Sequence, residues 1–178
     1  MAIEQLKQQI PEVAKDIRLN LGSLFNTIPS GLNPVQFFGI ALAVAYTLKN
    51  RELLAALKEE GADFIDEALD TAAQLAAALM AMNNVYYRAI HLAEDKELSH
   101  MPANLRMNGL ANPGVAKLDF ELFALAVSAI NGCGMCIKAH IHQAKIGGIS
   151  DAGIQNVLRI AAILNATVFS LSQLLQGD

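Results

Sequence analysis

The chain has 178 residues, 53% of them hydrophobic and 17% charged, with a formal net charge of -4. That length is enough for one well-cored domain or two small halves packed tightly together. No basic patch and no interleaving of basic with aromatic residues is present, which argues against nucleic acid as the main partner. A soluble chain this apolar is expected to bury further surface by forming an oligomer.

The first residues lack a charged segment followed by an apolar core, so no secretory leader is expected. The longest clean apolar run, from Phe37 to Tyr46, is too short for the roughly twenty residues that span a bilayer. The expectation is a cytoplasmic protein without a membrane partner. In that compartment a pair of cysteines is redox-active or metal-binding more readily than a structural staple.

Ile3, Leu6 and Ile10 mark a short amphipathic helix closed by Pro11. Val13, Ile17, Leu21 and Leu24 continue at helical spacing to about Phe25. Asn33 is placed to cap a helix that starts at Pro34. From Val35 to Leu48 nearly every residue is apolar, the mark of a helix buried on all sides. A further helix is expected over Asn50 to Glu60, stopped by Gly61, and a long alanine-rich one from Asp66 to about His91. Asp95 to Lys117, with two prolines and two glycines, reads as an irregular connection that is either functional or interrupted by a helical turn near Ala103 to Asn108.

Leu118 to Asn131 is again a buried-type helix, broken by Gly132. Cys136 to Ile146 reads as a helix ended by Gly147-Gly148, and Ser150 as the cap of a last helix reaching about Leu175. Nothing alternates with period two, so the fold class is all-α. An internal repeat at an offset of 83 lays Ala41-Leu42-Ala43-Val44 over Ala124-Leu125-Ala126-Val127. It describes one domain over 1–178, with a degenerate first half at about 34–94 and an active second half at about 118–176. On it Asn50 lies opposite Cys133, Leu53 opposite Cys136, Phe38 opposite Glu121 and Leu57 opposite His140.

The chemistry concentrates in Cys133-Gly134-Met135-Cys136-Ile137-Lys138-Ala139-His140, which holds both cysteines of the chain. At ~100° per residue, Cys133, Cys136 and His140 share one stripe of a helix, whereas His142 points away. Unpaired N–H groups at the helix start favour a thiolate, by ~0.3–1 kcal/mol and up to ~2 when partly buried. Apolar neighbours oppose this by desolvation. Position at the helix start favours Cys133 as nucleophile, and nearness to His140 favours Cys136. Cys136 is chosen, because a base one turn away can both take and return protons. Cys133 then resolves the oxidised form as a disulfide. Glu121 stands alone in an apolar run, where a carboxylate is costly unless paired. It is either a helix-start acid or one on a partly exposed edge, or else a proton acceptor or relay partner facing His140 and the thiols.

Glu121, Cys133, Cys136 and His140 at this spacing, led in by Ser128-Ala129-Ile130-Asn131-Gly132 and joined by the run Met80 to Asn84, resemble the AhpD-type alkyl hydroperoxidases of the carboxymuconolactone decarboxylase-like superfamily. Some members carry a histidine before the second cysteine, where this chain has Met135. The resemblance implies an all-α homotrimer of two pseudo-repeated helical halves and an antioxidant peroxidase acting on organic hydroperoxides. Cys136 becomes a sulfenic acid, Cys133 supplies a proton and closes the disulfide, and Glu121 and His140 relay protons. The implied electron donor is dihydrolipoamide on the lipoylated acyltransferase of a 2-oxoacid dehydrogenase complex, and a peroxiredoxin is an implied partner.

Two rival readings remain open. One is a thiol–disulfide exchange adaptor without peroxidase activity. The other is a zinc site of Cys133, Cys136 and His140 with Glu121 or water. His91 and His100 read as surface or capping residues, Tyr86 and Tyr87 as packing or subunit contacts, Met80 and Met82 as core filler. Asn83 and Asn84, odd in an apolar helix, are expected to contact another subunit. No phosphate loop, dinucleotide fingerprint or haem motif is present, so no tightly bound cofactor is expected.

Overall fold

The computed structural model describes residues 2–173. Two helices that are buried nearly all round form its centre, α3 (Pro34–Leu48) and α7 (Lys117–Ile130). Their sequences explain this. Every residue of α3 from Gln36 to Ala45 is buried, and every residue of α7 from Leu122 to Ser128. The two helices approach closely at Gly39, where an added Cβ would stand 2.2 Å from Cζ of Phe123. Gln36 donates across the same pair to Asp119 at 2.8 Å.

Around this pair pack α5 (Glu67–Ala93) and α9 (Asp151–Gln173), with the shorter α4 (Arg51–Glu60) and α8 (Gly134–Ile146) beside them. At the amino-terminal end, α1 (Ala2–Gln8) lies on α4, and α2 (Lys15–Asn26) on α9. No strand occurs among the described residues, so the all-α expectation holds. Helix starts follow the caps. Asn33 and Gln36 form a reciprocal capping box ahead of Pro34. Asn50 accepts from the Leu53 amide, Asp66 from Leu69, and Ser150 from Gly153.

The starts of α7, α8 and α9 follow those of α3, α4 and α5 by 83, 83 and 84 residues. The order of lengths is also kept: a medium buried helix, a short one, then a long one. The proposal that the two halves descend from one duplicated unit is consistent with this spacing.

Several expectations need correction. Glu12–Ala14 is a 3-10 turn that leaves Val13 85% exposed, so Val13 is not on the apolar stripe. The turn expected near Ala103 to Asn108 is absent. Instead α6 covers Lys96–His100, because Asp95 caps the Glu97 and Leu98 amides. Met101, ahead of Pro102, is then extended and ends it. A second 3-10 turn covers Asn108–Leu110. α9 reaches at least Gln173, and the last two residues of the expected helix lie outside the described residues.

Asp151–Ser172 is long and apolar enough to cross a membrane by length and composition, although polar residues interrupt its apolar ones. Half of its most apolar window is buried inside the protein, as in a core helix.

Candidate functional site

The site begins at the turn between α7 and α8. Gly132 has φ +67°, a left-handed conformation that favours glycine. It turns the chain so that the Cys133 amide reaches back to the Ser128 carbonyl at 3.1 Å. Cys133 is then the N-cap of α8, and its sulfur accepts from the Cys136 amide at 3.3 Å. α8 therefore starts two residues before the expected Cys136, which seats both sulfurs at the helix start.

Helix α5 braces this turn. Asn84 donates to the Ser128 hydroxyl at 2.9 Å and accepts from Nδ2 of the Asn131 side chain at 3.0 Å. One turn further, Arg88 donates to the Asn131 carbonyl at 2.5 Å. Asn84 thus finds its partners within the chain, and the expectation of a subunit contact is not needed for it.

The sulfurs of Cys133 and Cys136 are joined in a disulfide, with Cα atoms 5.3 Å apart. Cys133 is fully buried, while Cys136 is 7% exposed and opens into a cavity of about 360 Å³. From α8, Met135 and His140 share that cavity with Cys136. From α5 come Met80, Asn83 and Tyr87, and the connection contributes Met107 and Leu110. Its walls are thus thioethers, aliphatic carbons and an aromatic ring, with few polar atoms.

His140 is also at the edge of a second cavity of about 80 Å³, which Glu121 and Lys117 line. Between the two cavities, Nδ1 of His140 and Oε2 of Glu121 are 2.7 Å apart. A carboxylate only accepts, so Nδ1 carries the hydrogen and Nε2 is left as the basic nitrogen. The lone acid of α7 is thus paired with His140 rather than stranded, and its side chain is partly exposed.

All four sequence-selected residues therefore come together: Cys133, Cys136, His140 and Glu121. Seven of the nine lining residues were not expected in the site, among them Met80, read as core filler, and Asn83, Tyr87, Met107 and Leu110. Asn83 carried a signal, an amide inside an apolar helix. Among the described residues no group of three or more His, Cys, Asp or Glu is arranged to hold a metal ion. His91 and His100 are exposed, and Nδ1 of His100 pairs with the Lys96 carbonyl of its own helix. A larger open groove of about 670 Å³ between α3, α5 and the end of α7 includes no cysteine or histidine in its lining.

Residues 96–169 match the Carboxymuconolactone decarboxylase family. A protein of Bradyrhizobium sp. named Alkyl hydroperoxide reductase AhpD is 53% identical over 171 residues, 96% of this chain and 93% of its own length. The chain belongs to the AhpD family. A Rhodospirillum centenum AhpD is 49% identical over 180 residues, all of this chain and 96% of its own. A Coxiella burnetii AhpD is 49% identical over 164 residues, 92% of this chain. The likeness to AhpD proteins thus includes α1 to α5 as well as the cysteine-bearing half.

Proposed function

We propose that this AhpD family member is an antioxidant dithiol peroxidase that reduces organic hydroperoxides. One observation carries the reading: Cys136 opens into an apolar cavity beside a histidine whose far nitrogen is held by a carboxylate. The cycle starts from the reduced pair. Nε2 of His140 takes the Cys136 proton, and the thiolate attacks the terminal peroxide oxygen. The S–O bond forms as the O–O bond breaks. Sulfur loses two electrons, the peroxide gains them, and the leaving alkoxide takes a proton from His140 to become an alcohol. The Cys133 thiol then attacks the Cys136 sulfenic acid, closing the disulfide and releasing water.

Reduction reverses the sulfur chemistry. Cys136 is the more accessible sulfur, so an incoming thiolate attacks there and Cys133 leaves as a thiolate at the helix start, where the free amides stabilise it. A second donor thiol completes the exchange, with two electrons and two protons delivered in all. Dihydrolipoamide on an acyltransferase of a 2-oxoacid dehydrogenase complex suits this role, since one molecule carries both thiols. Regeneration of a peroxiredoxin partner uses the same dithiol. The reading includes a cytoplasmic homotrimer.

The test is a single turnover of reduced protein with an alkyl hydroperoxide, followed by reopening with reduced lipoamide, thioredoxin or glutathione. Rapid loss of two thiols per chain, restored fastest by reduced lipoamide, supports the proposal. Protein that is inert to peroxide yet exchanges disulfides is an adaptor instead, and protein that retains zinc and alkylates slowly is a metal site.

A further inference from the structure

Asn83 and Asn84 are neighbours on α5, and both are buried, at 5% and 1% exposure. Their situations differ. Asn84 has partners on α7 and just past its end for both ends of its amide. Asn83 is rotated from it by about 100° and lines the thiol cavity with Cys136 and His140. Its Oδ1 is fully buried and has no hydrogen-bond partner. An unmet buried acceptor is a cost, and leucine at this position has nearly the same shape without it. The surrounding side chains of the cavity do not meet the need: Met80, Met107 and Leu110 offer no donor, and neither Tyr87 nor His140 donates to it.

We propose that Asn83 is a substrate-positioning residue whose Oδ1 accepts a hydrogen bond from the terminal O–H of the bound hydroperoxide. This rests on the peroxidase reading above. A hydroperoxide has one donor and a hydrocarbon tail. Asn83 has one unmet acceptor, which is covered in the empty cavity, and a turn of the side-chain amide would bring it to the apolar lining. Held by its O–H, the peroxide presents the terminal oxygen to the Cys136 thiolate and the carbon-bearing oxygen to the proton on His140. In the step itself the S–O bond forms, the O–O bond breaks and the alkoxide leaves with the His140 proton. The hydrogen on Asn83 stays on its oxygen, which becomes the hydroxyl of the sulfenic acid. The amide therefore keeps its partner through the oxidation, and loses it only when Cys133 displaces that oxygen as water.

The two half-reactions separate this role from a structural one, because disulfide opening by a thiol involves no hydroperoxide. Reduced wild type, Asn83→Leu and Asn83→Ala are mixed with tert-butyl hydroperoxide in stopped flow, and the oxidised forms with reduced lipoamide. Leucine keeps the volume, and alanine cannot crowd the cavity if leucine prevents folding. The expected result is an oxidation rate constant about tenfold lower in both variants, with the reopening rate constant within twofold of wild type and the midpoint potential of the dithiol unshifted. Unchanged oxidation, or an equal loss in both half-reactions, overturns the role of Asn83 while the peroxidase reading stands. Wild type that is not oxidised at all overturns the peroxidase reading and this one with it.

Discussion

His140 and Glu121 are nineteen residues apart and on different helices, yet the ring and the carboxylate meet at 2.7 Å. The contact orders the histidine in two ways: it sets the tautomer and it stops the ring from turning. Glu121 has no contact with the sulfur cavity, so it acts through His140 and is a positioning residue. Replacing it with glutamine is expected to lower the peroxide reaction about 10- to 100-fold. His140→Gln should cost about 100-fold or more, in the range of general acid–base catalysis. The double variant should be no slower than His140→Gln alone, because residues that act as a unit are not additive. A multiplied loss in the double variant would assign Glu121 an independent function.

The two cysteines should part company in trapping experiments. Cys136 faces the cavity and Cys133 is sealed beneath the helix start. Cys133→Ser should therefore give a sulfenic acid that a cyclic dione traps after one equivalent of alkyl hydroperoxide. Cys136→Ser should yield none and leave Cys133 slow to alkylate. Equal trapping in both variants would contradict the choice of Cys136.

Much of this site was readable from residue types alone, and the reasons are local. Both cysteines and His140 are on one helix, so spacing fixes their common face. Glu121 drew attention because burial of an unpaired carboxylate is costly, and its partner was the one histidine on the correct face. The buried helices α3 and α7 announce themselves by the absence of a polar side. What could not be read depends on packing between distant segments. Met107 and Leu110 reach the cavity from an irregular connection with no periodic signal, and Tyr87 looked like any half-buried aromatic. Asn83 and Asn84 looked alike, and only the position of α7 and α8 around α5 gives one its partners and denies them to the other. The comparison of halves is informative too: the N-cap of α4 is Asn50, and at the matching position of α8 the capping atom is the sulfur of Cys133.

Asn84 should matter for stability more than for chemistry. It is buried and holds Ser128 and Asn131 together across the turn that presents the cysteines. Asn84→Leu removes both bonds and strands the buried Ser128 hydroxyl. A loss of about 1–3 kcal/mol in unfolding free energy is expected, read by urea denaturation. Disulfide closure should slow as well, since the turn is no longer braced. A variant as stable as wild type would show that water replaces the amide without cost.

Away from the site, Asp70 links three helices and makes stability depend on pH. Its Oδ1 accepts from the Tyr46 hydroxyl at 2.6 Å, and its Oδ2 from Lys58 at 2.8 Å and Gln74 at 3.1 Å. Burial acts to raise the Asp70 pKa, but the bonds from Lys58 and Tyr46 outweigh it and hold the carboxyl below its ordinary 3.8. The bond to Asp70 holds Lys58 above its ordinary 10.5, against the effect of desolvation. A depressed acid contributes stability that is present above its unfolded pKa and is lost as pH falls through the folded one. A raised base contributes stability that is present below its unfolded pKa and is lost as pH rises through the folded one. Asp70→Asn should therefore lower the urea midpoint by a constant amount between about pH 5 and pH 9, where both groups are charged. The gap to wild type should close as pH falls below 3.8 through the depressed Asp70 pKa, and narrow as pH rises above 10.5 through the raised Lys58 pKa. Because the Lys58 side chain is 42% exposed, the gap should also narrow in 1 M salt. A gap that persists unchanged at acid pH would mean that packing and neutral hydrogen bonds, not the charges, bind α4 to α5 here.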